Sequence, residues 1–502
     1  MDTSVKSYLE QYQLTQATWD FLNKKRGMFI DGQWETEAES YADVIEPSTG
    51  EKLGELPQGS LADVDRAVAA ARREFDTGAW SQLLPMERER MLFKLADLME
   101  QNAQHLGELE SIDVGKSVGI AVEVDVQSAI DNLRYFAGWT SKIEGRHVTP
   151  AALPGERIAF TRKEAVGVVG CIIPWNFPLI TLSWKLGAAL AVGCTVVVKP
   201  AEITSLSALR FAELAQEAGI PDGVINIVTG KGSVVGAAIS EHSDINKITF
   251  TGSTQTGRTI GTAAMRDMKR TTMELGGKSP AIVLLDADIE KAVANIADGI
   301  FFNTGQACDA GSRAYVHESI YEKFLTALEA FTKDLPIAAG LDPDCFIGPM
   351  VSEQQLNTVM SYIEVGKSEG ARLVCGGNRL DRPGYFIEPT VFADCKPDMR
   401  IVREEIFGPV LVVAPFSSSD EAVALANDTE YGLAAAIYSN DLSEVHRLIP
   451  KLKAGTVYVN QHATLDPTMP FGGYKQSGFG KDMGPEQLEN FLETKSVWIT
   501  LQ

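Results

Sequence analysis

One cysteine of the chain lies in a sequence setting that suits a nucleophile. Cys308 stands among small residues and glycine in the segment 301–313, between two stretches with helical patterns. A thiol reacts as its thiolate, in a partly open and electropositive environment, whereas a cysteine in a buried apolar run behaves as a small hydrophobe. A cysteine considered alone is more often a buried structural thiol than a nucleophile. The residues around Cys308 favour a catalytic role instead.

A carboxylate upstream of Cys308 is a candidate general base. Glu274 precedes the glycine pair 276–277 and stands just before the short apolar run Ala281–Leu285, which predicts a strand. Covalent catalysis needs a nucleophile and a base within reach of one another. The two segments together predict a nucleophile and a base on neighbouring loops.

Length and composition restrict the class of protein. The 502 residues imply two or three domains, and 45% hydrophobic with 22% charged residues is ordinary for a soluble chain. A formal net charge of −22 opposes nucleic acid and anionic membrane as partners. The six cysteines show no C-x-x-C pair or nearby paired histidines, so neither a metal site nor a disulfide framework is predicted. A cytoplasmic location is expected.

The alternation of apolar runs with helical patterns predicts an α/β fold. Residues 1–12 suggest an amphipathic helix without a targeting signal. The uncharged stretch Ala165–Trp184 is long enough to span a bilayer, but it contains Pro174 and Pro178, so it predicts a buried strand at Val166–Ile173 and a helix from about Leu179. Similar β-branched runs follow on both sides of Cys308, which is typical of parallel sheets.

Two motifs at predicted strand ends suit a nucleotide. Gly252 and Ser253 follow the run Lys247–Phe250 and open a helix, where backbone N–H groups can approach a phosphate. The segment lacks the Lys of a P-loop, so nucleotide hydrolysis is a minor alternative. Lys199 and Glu202 place a cation and a carboxylate after another strand. That pair would suit an adenosine ribose, or could be a surface ion pair.

These segments, taken in order, resemble the aldehyde dehydrogenase superfamily from Met28 to Val497. The motifs that carry the resemblance are Pro174-Trp-Asn-Phe-Pro178, Lys199-Pro-Ala-Glu202, Phe250-Thr-Gly-Ser-Thr-Gln-Thr-Gly257, the Glu274 and Cys308 segments, Glu404-Glu-Ile-Phe-Gly-Pro409 and Pro470-Phe-Gly-Gly-Tyr-Lys-Gln-Ser-Gly478. The resemblance implies a doubly wound, Rossmann-like cofactor domain (1–139 and 161–274), a second α/β catalytic domain (275–483) and a small bridging β element (140–160 and 484–502). The bridging element mediates oligomer contacts in the family, so a homotetramer or homodimer is expected.

The resemblance also implies roles for individual residues in an NAD-dependent oxidation of an aldehyde to the free acid. Catalysis would involve Cys308 as nucleophile, Glu274 as base for thioester hydrolysis, Asn176 as oxyanion donor and Lys185 in a proton relay. The residues expected to bind NAD are Trp175, Lys199, Glu202, Gly252, Ser253, Glu405 and Phe407. No step requires a metal.

The substrate is predicted from a set of aromatic and apolar positions. These are Phe177, Trp184, Leu465 and Phe471, together with the uncharged Met469 and Ala307. The run Val459–Phe471 is similar to the phenylacetaldehyde dehydrogenase branch, so an arylacetaldehyde is the first choice. An aliphatic aldehyde, a betaine aldehyde and a catalytically silent protein of this fold are the alternatives.

Two positions depart from the family pattern. Asp309 directly follows the cysteine, where most relatives carry an uncharged residue, and its carboxylate would raise the thiol pKa unless it points away or a cation such as Arg313 compensates it. Asp482 replaces a glutamate that is common at the relay position. The shorter side chain puts the pairing with Lys185 in question.

Overall fold

The computed structural model describes residues 2–153 and 155–501. Within them the strands, numbered in chain order, are β1 (Met28–Ile30), β2 (Gln33–Glu35), β3 (Tyr41–Glu46), β4 (Glu51–Pro57), β5 (His147–Val148), β6 (Arg157–Ala165), β7 (Val168–Ile172), β8 (Thr195–Lys199), β9 (Ile225–Ile227), β10 (Lys247–Thr251), β11 (Arg270–Glu274), β12 (Pro280–Val283), β13 (Arg313–His317), β14 (Arg372–Cys375), β15 (Thr390–Ala393), β16 (Val410–Phe416), β17 (Ala434–Tyr438), β18 (Thr456–Val459), β19 (Gly478–Phe479) and β20 (Leu492–Thr500).

The α-helices of the same residues surround these strands. They are α1 (Thr3–Leu9), α2 (Gln16–Asn23), α3 (Leu61–Asp76), α4 (Ala79–Gln82), α5 (Pro85–Gln101), α6 (Ala103–Val114), α7 (Val118–Ile120), α8 (Gln127–Ala137), α9 (Pro178–Val192), α10 (Leu206–Ala218), α11 (Ala237–Glu241), α12 (Thr254–Arg266), α13 (Ile289–Phe301), α14 (Tyr321–Lys333), α15 (Glu353–Ser368), α16 (Arg400–Arg403), α17 (Ser419–Asn427), α18 (Leu442–Leu448) and α19 (Glu486–Glu489).

The first large sheet has the order β19-β11-β10-β7-β8-β9-β1-β2. Its five central strands, from β11 to β9, are parallel, and both edges are antiparallel. The chain moves from β7 through β8 to β9 on one side and then returns to β10 and β11 on the other. Such a change of direction leaves a crevice at the carboxyl ends of the strands, where α/β sheets bind ligands.

The uncharged stretch at 165–184 takes the form that its prolines predict. It contains the fully buried strand β7, a loop, and the beginning of helix α9, which is itself buried along its whole length. Pro178 opens α9 at a position where its missing N–H leaves no bond unmade. Across the described residues, the helices all fall short of the length and apolar character that crossing a bilayer demands.

The second large sheet has the order β14-β15-β16-β13-β12-β17-β18 and is parallel except for β14. Strands β12, β13, β16, β17 and β18 match the apolar runs predicted after Glu274, whereas β14 and β15 were not predicted. Helix α13 crosses from β12 toward the loop that carries Cys308. The described residues therefore contain two parallel sheets, which is the mixed α/β architecture that the sequence predicts.

A three-stranded sheet of order β20-β6-β5 stands beside these two. Strands β6 and β20 pair antiparallel from Ala165 with Leu492 to Arg157 with Thr500. Strand β6 continues past residue 160, the expected end of the bridging element, because its register with β20 extends to Ala165. The division of the chain at residues 139, 161, 275 and 484 stays a prediction.

Strand β19 joins two distant parts of the sequence. It comes from the segment after β18, yet it pairs antiparallel with β11 of the first sheet, placing Gly478 opposite Glu274. Leu275 extends the contact, because its N–H donates to the carbonyl of Ser477 over 3.0 Å. The late segment therefore fixes the strand end that carries the predicted base.

Candidate active site

Most of the predicted cofactor and catalytic side chains follow the carboxyl ends of four parallel strands of the first sheet. These strands are adjacent in the order β11-β10-β7-β8, so their ends lie along one edge. The residues at that edge are Trp175, Asn176 and Phe177 after β7, Lys199 and Glu202 at β8, Gly252 and Ser253 after β10, and Glu274 at the end of β11. The sheet alone thus brings together most of the predicted site.

The loop that carries Cys308 begins with a strained turn. Asn303, Thr304 and Gly305 have φ values of 48°, 56° and 69°, three successive residues in the left-handed region. That region costs a non-glycine residue about 1–3 kcal/mol, so the surroundings must hold it in place. Asn303 Nδ2 donates to the carbonyl of Asn176 over 3.0 Å, and Thr304 Oγ1 donates to the carbonyl of Gly348 over 3.0 Å. Both bonds tie the turn to neighbouring loops.

Asn176 is fixed against the same loop. Its side chain is buried, and Nδ2 donates to the carbonyl of Gln306 over 2.8 Å. The Gln306 side chain closes this arrangement, since Nε2 donates to the Asn303 carbonyl over 3.1 Å and Oε1 accepts from the N–H of Val351 over 3.0 Å. An amide nitrogen carries two hydrogens, so Asn176 keeps a second donor for an oxygen near Cys308.

Cys308 is half-buried and packs against an apolar cluster. The cluster consists of Ile180, Trp184, Leu433, Phe471 and Met483, with Phe177 and Cys308 packed against it. Burial raises the pKa of the Cys308 thiol well above its usual value, and the carboxylates of Asp309, Glu274 and Glu405 raise it further. Burial and the neighbouring carboxylates therefore favour the thiol over the thiolate at Cys308.

Glu274 has the properties of a general base near neutral pH. Its carboxyl group is buried, and Oε1 has no hydrogen-bond partner among the described residues. Burial and the Asp482 carboxylate raise the pKa of Glu274 to about 8, while Lys185 and Lys481 act in the opposite direction. A buried acceptor without a partner is costly, and a bound water is the group that would satisfy it.

Lys185 and Asp482 form the pair that the shorter side chain of Asp482 put in question. Lys185 Nζ lies 2.5 Å from Asp482 Oδ2, and both residues are buried. Gln487 Nε2 donates to the other carboxylate oxygen over 3.1 Å. After burial itself, Asp482 raises the pKa of Glu274 and Lys185 lowers it, so both members of the pair act on the base. The relay itself stays a prediction.

Aromatic rings form much of the wall near the sulfur. Phe177 stacks on Phe302 with ring centroids 6.0 Å apart, and Trp184 lies 5.4 Å from Phe471. The buried Lys116 places Nζ 4.3 Å from the centre of the Phe177 ring, a cation–π contact that holds the ring. Leu465 is exposed and lies outside the cluster around Cys308, so its predicted contact with substrate stays a prediction.

The residues at the β8 and β10 ends fit a dinucleotide. Lys199 is buried and donates from Nζ to the carbonyl of Pro200 over 2.7 Å, and burial lowers its pKa to about 8. Glu202 is half-buried after the same strand. Ser253 caps helix α12 and is exposed, so the N-terminus of that helix remains open to a phosphate.

Glu405 and Phe407 lie close to the loops of the predicted base. The N–H of Gly277 donates to Glu405 Oε1 over 2.9 Å, and burial raises the pKa of Glu405 to about 7. Phe407 has a left-handed φ of 56° and meets Trp175 edge to face with centroids 5.2 Å apart. These contacts bring together predicted cofactor residues from the 174–178 and 404–409 segments and connect them with the glycine pair that follows Glu274.

Arg313 does not compensate Asp309, and that expectation is wrong. The Arg313 guanidinium donates to the carbonyls of Lys278, Leu425 and Ala426 and to the hydroxyl of Tyr315. Four of its five N–H donors are used in this way, because the guanidinium joins β13 to the loop after Glu274 and to the end of α17. The Asp309 carboxylate instead faces Tyr458, with 3.5 Å between Oδ2 and the tyrosine hydroxyl.

Several site residues carry no signal in the sequence. Ile180, Leu433 and Met483 complete the apolar wall, and Gln306 orients Asn176. Leu433 and Met483 stand in ordinary apolar or mixed segments, so only the docking of the two sheets places them near the sulfur. The position of Gln306, two residues before Cys308, was the one available indication.

Comparison with known proteins agrees with this geometry. Residues 34–497 match the profile of the aldehyde dehydrogenase family. The aldehyde dehydrogenase of Alternaria alternata is 46% identical over 501 residues, 99% of each chain. The structure of an aldehyde dehydrogenase from Bacillus cereus in complex with NAD+ has a TM-score of 0.96 at 45% identity, covering 98% of this chain and 100% of that one. Betaine aldehyde dehydrogenase of Staphylococcus aureus has a TM-score of 0.93 at 40% identity, covering 96% of each chain.

The chain belongs to the aldehyde dehydrogenase family. It is an NAD-dependent aldehyde dehydrogenase, as its strand-end residues and its relatives indicate.

Proposed function

We propose that the protein oxidises an arylacetaldehyde, phenylacetaldehyde or a close analogue, to the free carboxylic acid. The observation that carries the proposal is the convergence, beside an aromatic wall, of Cys308, the Asn176 amide and the Glu274 carboxyl group, whose Oε1 has no hydrogen-bond partner among the described residues. The intermediates would be a thiohemiacetal and then a thioester on Cys308.

The proposed first step is addition of the Cys308 sulfur, as the thiolate formed when the thiol proton passes to solvent, to the aldehyde carbon. The second N–H of Asn176 and the backbone N–H of Cys308 would hold the resulting oxyanion, and one such donor contributes about two to three orders of magnitude in rate. NAD supplies the hydride acceptor when bound. Glu274 would then take a proton from water, whose oxygen attacks the thioester and releases the acid together with the thiolate.

The apolar and aromatic walls near the sulfur support this choice of substrate. An aryl group would contact Phe177 and lie near the tilted pair Trp184 and Phe471, where ring contacts contribute about 0.5–1.5 kcal/mol beyond area burial. An aliphatic aldehyde would fit the same apolar surface. A betaine aldehyde is the second alternative, favoured by the Staphylococcus aureus neighbour and by the ability of aromatic rings to bind a quaternary cation.

A panel of aldehydes tests this choice. With NAD in excess, we expect kcat/KM for phenylacetaldehyde to exceed that for betaine aldehyde by about tenfold or more, because the aromatic wall binds a neutral ring without desolvating a charge. Formation of NADH is the measurement. Phe471→Leu should narrow the difference, while Leu442→Ala, an exposed residue on α18, should leave it unchanged. A higher value for betaine aldehyde would reverse the assignment, and no turnover of any aldehyde would favour the catalytically silent alternative.

Cofactor preference tests the role of Glu202. If its carboxylate accepts from the ribose 2′-hydroxyl, it also repels a 2′-phosphate, so NAD should be used far better than NADP. We expect Glu202→Gln to narrow the ratio of kcat/KM for the two cofactors by about tenfold, through loss of the repulsion. The matched control is Glu241→Gln, an exposed carboxylate on α11. Equal use of both cofactors by the native protein would remove Glu202 from this role.

Assembly and location complete the proposal. Ile158, Trp498 and Ile499 on the three-stranded sheet are large apolar residues that remain exposed in the single chain, and such surface commonly marks a subunit interface. A homotetramer or homodimer, measured by light scattering on a sizing column, would cover them.

The six cysteines are free thiols, which supports a reducing compartment such as the cytoplasm.

A further inference from the structure

A buried lysine lies against the aromatic wall, in a group of charges that no step of the proposed reaction uses. Lys116 follows the glycine that ends α6, and its side chain is 1% exposed. Its Nζ lies 3.4 Å from Glu110 Oε2 and pairs with the Asp125 carboxylate, and both carboxylate side chains are fully buried. The same Nζ lies 4.3 Å from the centre of the Phe177 ring. The ammonium group therefore connects two buried carboxylates with one ring of the wall.

The burial of these three charges is costly. Each group loses its hydration, and the carboxylates outnumber the ammonium, so Asp125 Oδ1 is buried without a hydrogen-bond partner among the described residues. Asp125 belongs to a single π-helical turn at Ala121–Val126, an irregularity that often accompanies functional sites. An apolar cluster of the same size would commonly stabilise a fold as well. The useful property of these charges is therefore the position that they give to the lysine nitrogen.

The backbone that carries Lys116 is fixed relative to the cysteine loop. Ser111 Oγ donates to the Lys116 carbonyl over 2.7 Å. A Cβ at Gly348 would stand 2.1 Å from the carbonyl oxygen of Gly115, so the loop of Gly348 packs directly on the backbone before the lysine. The Gly348 carbonyl in turn accepts from Thr304, in the strained turn of the cysteine loop. The ammonium group thus stands at a defined distance from the reacting sulfur.

The Glu110 carboxylate also fixes the backbone that follows Phe177. Its Oε1 accepts from the N–H of Leu179 over 3.1 Å and from Ser207 Oγ over 2.5 Å. Leu179 is the second residue of α9, two positions after Phe177. One carboxylate therefore binds the helix start through one oxygen and, through the other, the cation that contacts the Phe177 ring. That ring is half-buried and stacks on Phe302 with centroids 6.0 Å apart.

We propose that Lys116 is a positioning residue that determines the preference of this enzyme for aryl substrates. Held by Glu110 and Asp125, its ammonium group fixes the Phe177 ring in one orientation. An aryl group then meets a flat surface that is ordered before binding, which removes the entropic cost of ordering it in the complex. A short aliphatic chain makes less use of a flat ring and gains less from its order. The inference rests on the proposed function and names a residue that sets its substrate preference.

The first test measures alkylation of Cys308 and requires no turnover. Two reagents are compared, 2-bromoacetophenone, which brings an aryl ketone to the sulfur, and iodoacetamide, which does not, with the site assigned by mass spectrometry. Lys116→Met combined with Asp125→Asn removes one cation and one anion, so the net charge of the cluster is unchanged. We expect the ratio of the two rate constants to fall by at least about fivefold. The matched control is Lys269→Met combined with Asp267→Asn, which removes an equally buried lysine and its carboxylate at the amino end of β11 and should leave the ratio unchanged.

A second background shows whether the effect passes through the ring. Phe177→Leu should itself lower the ratio, because it removes the flat surface. In that background the double substitution of Lys116 and Asp125 should change the ratio by less than about 1.5-fold, since the ring on which the cation acts is absent. Equal losses in both backgrounds would indicate a general structural effect and overturn the proposal. An unchanged ratio in the native background would overturn it as well.

A milder variant covers the case in which the double substitution prevents folding. Asp125→Asn keeps Lys116 paired with Glu110 but replaces a charged acceptor of its ammonium group by a neutral one. Since charge-assisted hydrogen bonds are about twice as strong as neutral ones, we expect the aryl-to-amide ratio to fall by about twofold or more. Thermal unfolding and NAD binding establish that the variant is folded. A folded Asp125→Asn protein with the native ratio would contradict the proposal.

Steady-state kinetics separate this proposal from the proposed function. In the double variant, KM for phenylacetaldehyde should rise about fivefold while kcat stays within about twofold, and the constants for propanal should not change. A protein that oxidises no aldehyde, but whose alkylation ratio depends on Lys116 through Phe177, would contradict the proposed function and leave the ordering of the ring intact. A clear preference for phenylacetaldehyde, with neither readout dependent on Lys116, would do the reverse.

Discussion

The Cys308→Ala protein will show neither aldehyde oxidation nor ester hydrolysis. Both reactions need the same sulfur, and loss of a nucleophile typically costs about four orders of magnitude or more in kcat. The measurements are NADH formation with the preferred aldehyde and release of p-nitrophenol from an activated ester. Because the sulfur lies at the edge of an apolar cluster and not within a core, the change should leave the fold intact.

Cys375→Ala is the control for this experiment. Cys375 is a buried thiol on β14, in the second sheet but away from the base, so its replacement should keep full activity. NAD binding, followed by quenching of tryptophan fluorescence, should survive in both variants. Substantial turnover by Cys308→Ala would show that Cys308 is not the nucleophile.

The Glu274→Gln protein will oxidise one equivalent of aldehyde and then stall. Only hydrolysis of the thioester needs the base, so a burst of NADH should remain while steady turnover falls by about 10²–10⁴-fold. Stopped-flow absorbance measures both phases, and mass spectrometry of the stalled protein should find the acyl group on Cys308. Glu486→Gln, an exposed carboxylate close in sequence to Asp482, is the matched control.

The pH dependence of the native enzyme is a second test of Glu274 as the base for thioester hydrolysis. The base acts as a carboxylate, and the pKa of Glu274 is raised to about 8, so deacylation should increase as the pH rises through about 8. Glu274→Gln should lose this dependence along with the rate. A missing burst, with normal substrate binding, would instead give Glu274 a role before hydride transfer.

The sequence predicts the fold more completely than the site. Buried parallel strands are continuous apolar runs, so β7, β8, β12 and β17 are recognisable from the residues alone. The prolines of the 174–178 turn likewise distinguish a strand, loop and helix from a membrane span. The register of strands that are far apart in sequence has no such local signal, and the pairing of β19 with β11 illustrates this.

The site residues show the same contrast between local sequence signals and long-range packing. Cys308 and Glu274 are recognisable because unusual residues surround them, whereas Leu433 and Met483 are apolar residues whose position depends on how the two sheets dock. Arg313 shows a further difficulty. Its sequence distance to Asp309 suggests an ion pair, yet buried carbonyls around β13 require its donors, and an unmet carbonyl costs about as much as a lost hydrogen bond.

The pairing of β19 with β11 also affects the order in which the enzyme can mature. During synthesis the strands β7 to β11 emerge long before residues 478 and 479, so the outer edge of β11 remains open while residues 275–477 are made. Open strand edges on partly made chains invite pairing with other chains. Completion of the base is delayed in the same way, because Glu274 gains its final neighbours only after the segment that contains β19 has been synthesised. The growing chain therefore contains the candidate nucleophile well before the segment that completes the surroundings of its base.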